Sequence, residues 1–221
     1  MPSDLHEKLQ QYYSQQEDDT EVPVSDFRAD VLIDDTVYEI QTQNLSAIRD
    51  KLLELVTDHD VVLVMPLAET KHIVYLDPDS GEELRSRRSP KHCTFLDVFD
   101  ELVYLTRFLP EERGAVELVL TEERELRVED GEGSWWRDGS SIQGRELVEV
   151  IETRRFETPA DLLSLLPEGL PHRFTTTDIA EVCDVRTRLA GRIAYTLREI
   201  GAITHVGNKG RAYLYERAGP Q

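Results

Sequence analysis

Apolar and polar positions change period several times along the chain, and each change marks an element. Over residues 4–16, Leu5, Leu9, Tyr12 and Tyr13 recur at spacings of four and three, which predicts an amphipathic helix. The acidic stretch EDDTEVPVSD that follows reads as a loop. The period-two segments ADVLID and TVYEIQT, joined at Asp34-Asp35-Thr36, predict a hairpin of two short strands. Ser46 is placed to cap a helix running to about His59, with Ile48, Leu52, Leu55 and Val56 on one face. VVLVMPLA has the length and continuous apolarity of a buried strand, and KHIVYLD alternates as a second one. The order helix, hairpin, helix, strand, strand predicts an α/β sandwich with a mixed sheet.

Farther on, Thr94-Phe-Leu-Asp97 has the spacing of a capping box and predicts a helix to Leu109, stopped by Pro110. VELVLTEERELRV alternates as a hairpin over 115–129, and LVEVIETRRF reads as another strand. Trp135-Trp136, beside a Gly/Ser loop, read as one buried anchor and one rim residue. Thr158-Pro159 opens a short helix, ADLLSLL, and LPEGLPHRF, with two prolines and a glycine, is the best linker. Beyond it come a Thr-capped helix in TTTDIAEVCDV and a second helix in RTRLAGRIAYTLREIGAI. Leu189, Ile193, Leu197 and Ile200 form the buried stripe of the second, and Gly201 ends it. ITHVGNKGRAYLYER is a hairpin with a Gly-rich basic tip. The expected division is an α/β domain over 1–157 (core 1–78, extension 79–157), a short helix and linker over 158–171, and a small domain over 172–221.

Composition narrows the function classes. The 221 residues contain 44 Asp and Glu against 25 Lys and Arg, a formal charge of −19, and only five of the bases are lysine. Dense carboxylates with few lysines suit a high-salt cytoplasm, and a GC-rich genome would also replace Lys by Arg. The charge is unevenly placed. Residues 172–221 carry eight bases against five acids, a net of +3, which leaves −22 on the rest. A basic tail on an acidic body points to a localised polyanion site. No apolar run approaches the roughly 18 residues of a membrane span, and the N-terminus has no signal-peptide character, so a cytoplasmic protein without membrane contact is expected. Cys93 and Cys183 have no metal-type spacing and are too few for a disulfide framework. The histidines are scattered, and no Gly-rich phosphate loop, nucleophile elbow or dinucleotide fingerprint is present, so no organic cofactor is implied.

Candidate chemistry sits in VLIDDTVYEIQTQN. Glu39, Gln41 and Gln43 alternate, so one strand face is polar while Val37, Tyr38 and Ile40 are apolar. If the two strands pair antiparallel, Asp30 and Glu39 come to the same end of the hairpin. Two converging carboxylates are a hard-oxygen site suited to Mg²⁺ or Mn²⁺. The bland alternative is a solvated outer face of an edge hairpin.

The spacing Asp30…Glu39-Ile40-Gln41 resembles the PD-(D/E)XK nuclease superfamily over roughly residues 1–78, and ADVLIDDTVYEIQ is particularly similar to its CoiA-like branch, where Gln replaces Lys. The resemblance implies a restriction-endonuclease-like mixed sheet flanked by helices, with an α-β-β-β-α-β core. It also implies a metal-dependent nuclease, with Asp30 and Glu39 as metal ligands, Ile40 lending its main-chain carbonyl, and Gln41 positioning the attacking water. Glu7 matches the place of an extra acid on the first helix. Gln41 is neutral at every pH and cannot replace a lysine as base or cation. A scaffold that has lost catalysis but still binds DNA, in a regulatory role, is the competing expectation.

Two basic elements are candidates for nucleic-acid contact. The first is the cluster Arg85, Arg87, Arg88 and Lys91, guanidinium and ammonium groups suited to phosphate, or else a loop that balances Glu82 and Glu83. The second is the tail, whose helix, turn, helix and hairpin, with the run YTLREIGAI, resemble the winged helix-turn-helix family. The resemblance implies DNA binding through the second helix, with Arg188, Arg192, Tyr195 and Thr196 facing outward. Lys209 and Arg211 at the hairpin tip would reach phosphates. The same module also serves as a protein-protein adaptor.

Overall fold

The computed structural model describes residues 4–16, 19–42, 44–131, 133 and 139–219. Gln43, Trp135 and Trp136 lie outside them. The chain opens with helix α1 (Asp4–Tyr13) and strands β1 (Thr20–Val24), β2 (Phe27–Ile33) and β3 (Thr36–Ile40). Helix α2 (Arg49–Asp58), strand β4 (Asp60–Leu76) and strand β5 (Glu83–Arg88) follow. Then come a short helix α3 (Phe99–Leu102) and two long strands, β6 (Gly114–Val128) and β7 (Ser141–Phe156). These strands form one mixed seven-stranded sheet in the order β1-β2-β3-β4-β6-β7, with β5 also on β4.

Helices cover both faces of the sheet, as the alternation predicts for a sheet buried on each side. On one face α1 sets Leu5 and Leu9 against Val31, Ile40, Val62, Val64 and Val119. On the other, Leu52 and Leu55 of α2 and Phe99 and Leu102 of α3 pack on Val61, Leu63, Val116 and Leu118. Each fully buried leucine contributes about 1.5–3 kcal/mol from area alone. The β2–β3 turn forms at Asp34-Asp35, where Asp34 adopts φ 53°, a conformation tolerated by Asp. From β3 the chain crosses through α2 to the parallel strand β4, and from β4 through α3 to the parallel strand β6. Such crossovers need a dozen or more residues and a helix.

Several local expectations are corrected. TEVPV, expected as part of a loop, pairs with β2 as strand β1. VVLVMPLA and KHIVYLD are one 17-residue strand, interrupted only by a bulge between Ala68 and Thr70. VELVLTEERELRV is likewise one strand rather than a hairpin, because β4 pairs with it along its length. Ser46 does not cap α2. Its hydroxyl donates to Asn44 Oδ1 (2.9 Å), and α2 begins at Arg49 without a side-chain cap. The Thr94–Asp97 capping box forms, but it opens a 3₁₀ turn and the short α3 rather than a helix to Leu109.

The C-terminal elements are α4 (Pro159–Leu163), β8 (Arg173–Phe174), α5 (Thr176–Val182), α6 (Thr187–Glu199), β9 (Ile203–Lys209) and β10 (Ala212–Arg217). The strands form a second sheet, β8-β10-β9. Thr158 with Asp161 and Thr175 with Asp178 close capping boxes at α4 and α5. The predicted linker is packed: Leu166 and Leu170 are buried in the same core that joins Phe99 and Leu102 to Ile193, Leu197 and Phe174. No helix among the described residues is long and apolar enough to cross a membrane.

Candidate functional site

The β2–β3 ladder runs from Ile33↔Thr36 to Val31↔Tyr38. One step further lie Asp30 and Glu39: Glu39 is reached from α2 and Asp30 from α1. There the main-chain ladder stops, and the Asp30 carboxylate takes over as acceptor: Ile40 N–H donates to its Oδ2 (2.7 Å). His6 Nε2, reaching from α1, lies 3.2 Å from the same oxygen. Glu39 is 3 % exposed. Its Oε2 accepts from Lys51 Nζ of α2 at 2.6 Å, and Lys51 also donates to the Arg28 carbonyl (2.6 Å). Two carboxylates on neighbouring strands are thus held by one base from each helical layer.

Electrostatics follow from this burial. Burial and then the charge of Asp30 push the Glu39 carboxyl up to about 7, although Lys51 and the Asp30 main-chain N–H oppose the rise. The His6 imidazole is held above its usual value by its hydrogen bond to Asp30, against the cost of burial. Glu39 Oε1 is buried without a hydrogen-bond partner among the described residues. An orphaned buried carboxylate oxygen costs about 1–3 kcal/mol, more when charged, and a cation would satisfy it. In donor chemistry, two carboxylates with one buried unpaired oxygen are of the hard-oxygen kind that Mg²⁺ takes. Among the described residues no three His, Cys, Asp or Glu side chains converge as a ligand set.

The expected site residues are distributed as follows. Asp30 and Glu39 come together. The Ile40 side chain is buried on the opposite face, against α1. Gln41 lies just past the end of β3, half-buried, its main-chain N–H donating to Val64 O (2.9 Å). Glu7 is exposed, and the α1 residue that reaches Asp30 is its neighbour His6. Lys51 was not anticipated. Its signal was its rarity, since it is one of five lysines and adjoins the apolar stripe of α2.

Arg85, Arg87 and Arg88 of the basic cluster lie on strand β5, with Lys91 beyond its end; β5 pairs with β4 on the edge that β3 also uses, so β3 and β5 lie end to end. Along β4, His72, the partner of Arg88, is eight steps beyond Val64, roughly 26 Å along a strand. Arg87 and Lys91 are exposed. Arg88 donates to Thr70 Oγ1 (3.0 Å), and Arg85 pairs with Glu129 while its guanidinium stands 3.6 Å over the Tyr75 ring. In the C-terminal part Arg188 is exposed on α6, and Lys209 and Arg211 are exposed at the β9–β10 turn, whose Gly210 has φ 66°. Arg192 is not directed to solvent as expected. It donates to the Asp100 carboxylate (2.7 Å) and carbonyl (2.6 Å), tying α6 to α3. Thr196 is buried rather than outward, because α6 packs on both α3 and its own sheet.

Fold and site together define an α/β protein whose mixed sheet, flanked by helices, carries a buried and a half-buried carboxylate, Glu39 and Asp30, on neighbouring strands. The chain belongs to the family described as "Domain of unknown function (DUF8091)", whose model matches residues 3–157 and so ends one residue before the Thr158 cap. It is similar to an uncharacterized protein of Treponema pallidum (strain Nichols), with 30 % identity over 218 residues, covering 98 % of this chain and 85 % of the relative. No solved structure matches the chain.

Proposed function

We propose that the protein is a metal-dependent, nuclease-like enzyme acting on DNA phosphodiesters, with its C-terminal elements serving as a winged-helix targeting module. The observation that carries this reading is the juxtaposition of Asp30 and Glu39 with Lys51. It occurs within the order α1-β1-β2-β3-α2-β4, the α-β-β-β-α-β succession of the PD-(D/E)XK resemblance. The strand β1 supplies the member that the sequence pattern omitted. Asp30 and Glu39 would hold Mg²⁺ or Mn²⁺, with the Ile40 carbonyl beside them. Such an ion supplies a Lewis acid and a water of lowered pKa.

The chain's own residues perform the rest. Ile40 N–H and His6 fix one oxygen of Asp30, which orients the other. Lys51 supplies, from α2, the cation that Gln41 cannot, and places positive charge where a phosphate would develop negative charge. Gln41, just past β3, offers a neutral donor and acceptor to orient water. The succession α4-β8-α5-α6-β9-β10, with a basic turn between the last two strands, supports the winged-helix assignment.

The test is incubation of plasmid or branched DNA with the protein and Mg²⁺ or Mn²⁺, in salt up to molar levels. Cleavage should vanish in Glu39→Ala and fall at least a hundredfold in Lys51→Ala. A second reading, a non-catalytic DNA-binding or regulatory protein on this scaffold, draws on the ion pairs that already neutralise both acids. DNA retention without cleavage, and no thermal shift on adding Mg²⁺, would select it.

A further inference from the structure

A chain of aromatic and cationic contacts crosses the surface of the C-terminal elements. It starts on α6, where the Arg198 guanidinium lies 5.6 Å from the Tyr195 ring. On the neighbouring hairpin, the Tyr215 ring of β10 is 6.2 Å from His205 on β9 and 6.4 Å from Tyr213. His205 and Tyr213 lie 4.7 Å apart. Tyr215 is buried against Phe174 and forms the floor of this row. The others are presented to solvent: Tyr213 is 54 % exposed and Tyr195 43 %.

Nothing in the packing calls for these rings outside. Tyr213 and Tyr195 each leave about half of their area in water, which forfeits part of what an aromatic side chain gains from burial. Arg198 beside them is paired with Glu199, so the unpaired positive charge comes from Lys209 and Arg211, exposed one hairpin turn away, in the segment that carries +3 on a chain of −19. That pairing of aromatic faces with a basic track is what binds unpaired nucleobases and their phosphates. A duplex offers its bases only at groove edges, so exposed rings set among tilted neighbours gain little from it.

We infer that Tyr195, Tyr213 and His205, with Arg198, form a stacking platform for single-stranded nucleic acid, separate from the carboxylate pair and independent of the nuclease reading. Lys209 and Arg211 hold the phosphates of the strand as it leaves the platform. The occupant is a single strand rather than a protein because the cations around the rings complement a polyanion that the −22 body would otherwise repel.

The experiment uses the full chain in EDTA, so that no divalent ion supports cleavage. A fluorescein-labelled oligodeoxythymidine of about 15 nucleotides and a duplex of equal length are titrated at fixed salt and read by anisotropy. The single strand should bind tighter than the duplex. Tyr213→Ala should weaken it about fivefold or more, Tyr213→Phe should restore it, and Tyr195→Ala plus Tyr213→Ala should weaken it further. Duplex binding should be unaffected by Tyr213→Ala. Thermal melts check that the exposed-site variants remain folded. Equal or tighter duplex binding, insensitivity to Tyr213→Ala, or a concentration-dependent dimer in sedimentation that buries these tyrosines would each overturn the platform.

Discussion

At the scale of single residues, Glu39 governs the behaviour of the site. Its carboxyl is raised to about 7 from an ordinary 4.5, so the folded state holds a proton there that the unfolded state has already lost. Its favourable contribution is therefore complete below about pH 4.5 and is lost as pH rises through about 7. Glu39→Gln should flatten the decline in stability between these limits and raise stability at pH 8, as measured by urea unfolding at several pH values; an unchanged slope would refute the assignment. Lys51→Met should cost about 3 kcal/mol at pH 8, where it strands a buried carboxylate, and distinctly less at pH 5, where Glu39 is protonated. Asp30 and Glu39 were legible in the sequence because a hairpin with a two-residue turn fixes which residues face each other. Lys51 and His6 were not, because each comes from a helix on a different side of the sheet and only tertiary packing brings them to the acids.

Among the elements, those closed by local chemistry were the ones the sequence specified well. The Thr-x-x-Asp boxes at Thr94, Thr158 and Thr175 all form, because the cap and its partner lie three residues apart and need nothing else. Thr175→Ala should accordingly cost about 1 kcal/mol, read as a lower urea midpoint with unchanged slope. Elements defined by long-range pairing were misjudged. VELVLTEERELRV, over 115–129, reads as a hairpin from its alternation alone. Pairing with β4 on one side and β7 on the other keeps the segment extended, and Glu123 and Glu125 are buried within it. Glu125 is matched there by Lys71 and Arg127, which hold its carboxyl below the usual range despite burial. Strand β1 was missed for a similar reason: TEVPV carries little apolar signal, and its pairing with β2 makes it a strand.

For the whole molecule, the issue is how an acidic body and a basic tail are joined. Arg192 answers it with two hydrogen bonds to Asp100, on a helix pair whose apolar sides share one core. Sequence periodicity placed Arg192 on the outer face because it counted only the stripe buried against the tail's own sheet, whereas α6 has a second buried side against α3. Arg188, four residues earlier, remains exposed. The two arginines should therefore separate cleanly. Arg192→Ala should lower the melting temperature, at a cost of about 1 kcal/mol for a partly exposed charged pair, and Asp100→Ala should do the same, with the double variant no worse than either single one. Arg188→Ala should leave melting unchanged and weaken duplex DNA binding, with a shallower dependence of affinity on salt because one phosphate contact is lost. If instead Arg192→Ala reduced DNA affinity as much as Arg188→Ala while stability held, the tail would have to swing away from α3 to bind. In that case the shared core would be a docked state that DNA opens, rather than a fixed joint.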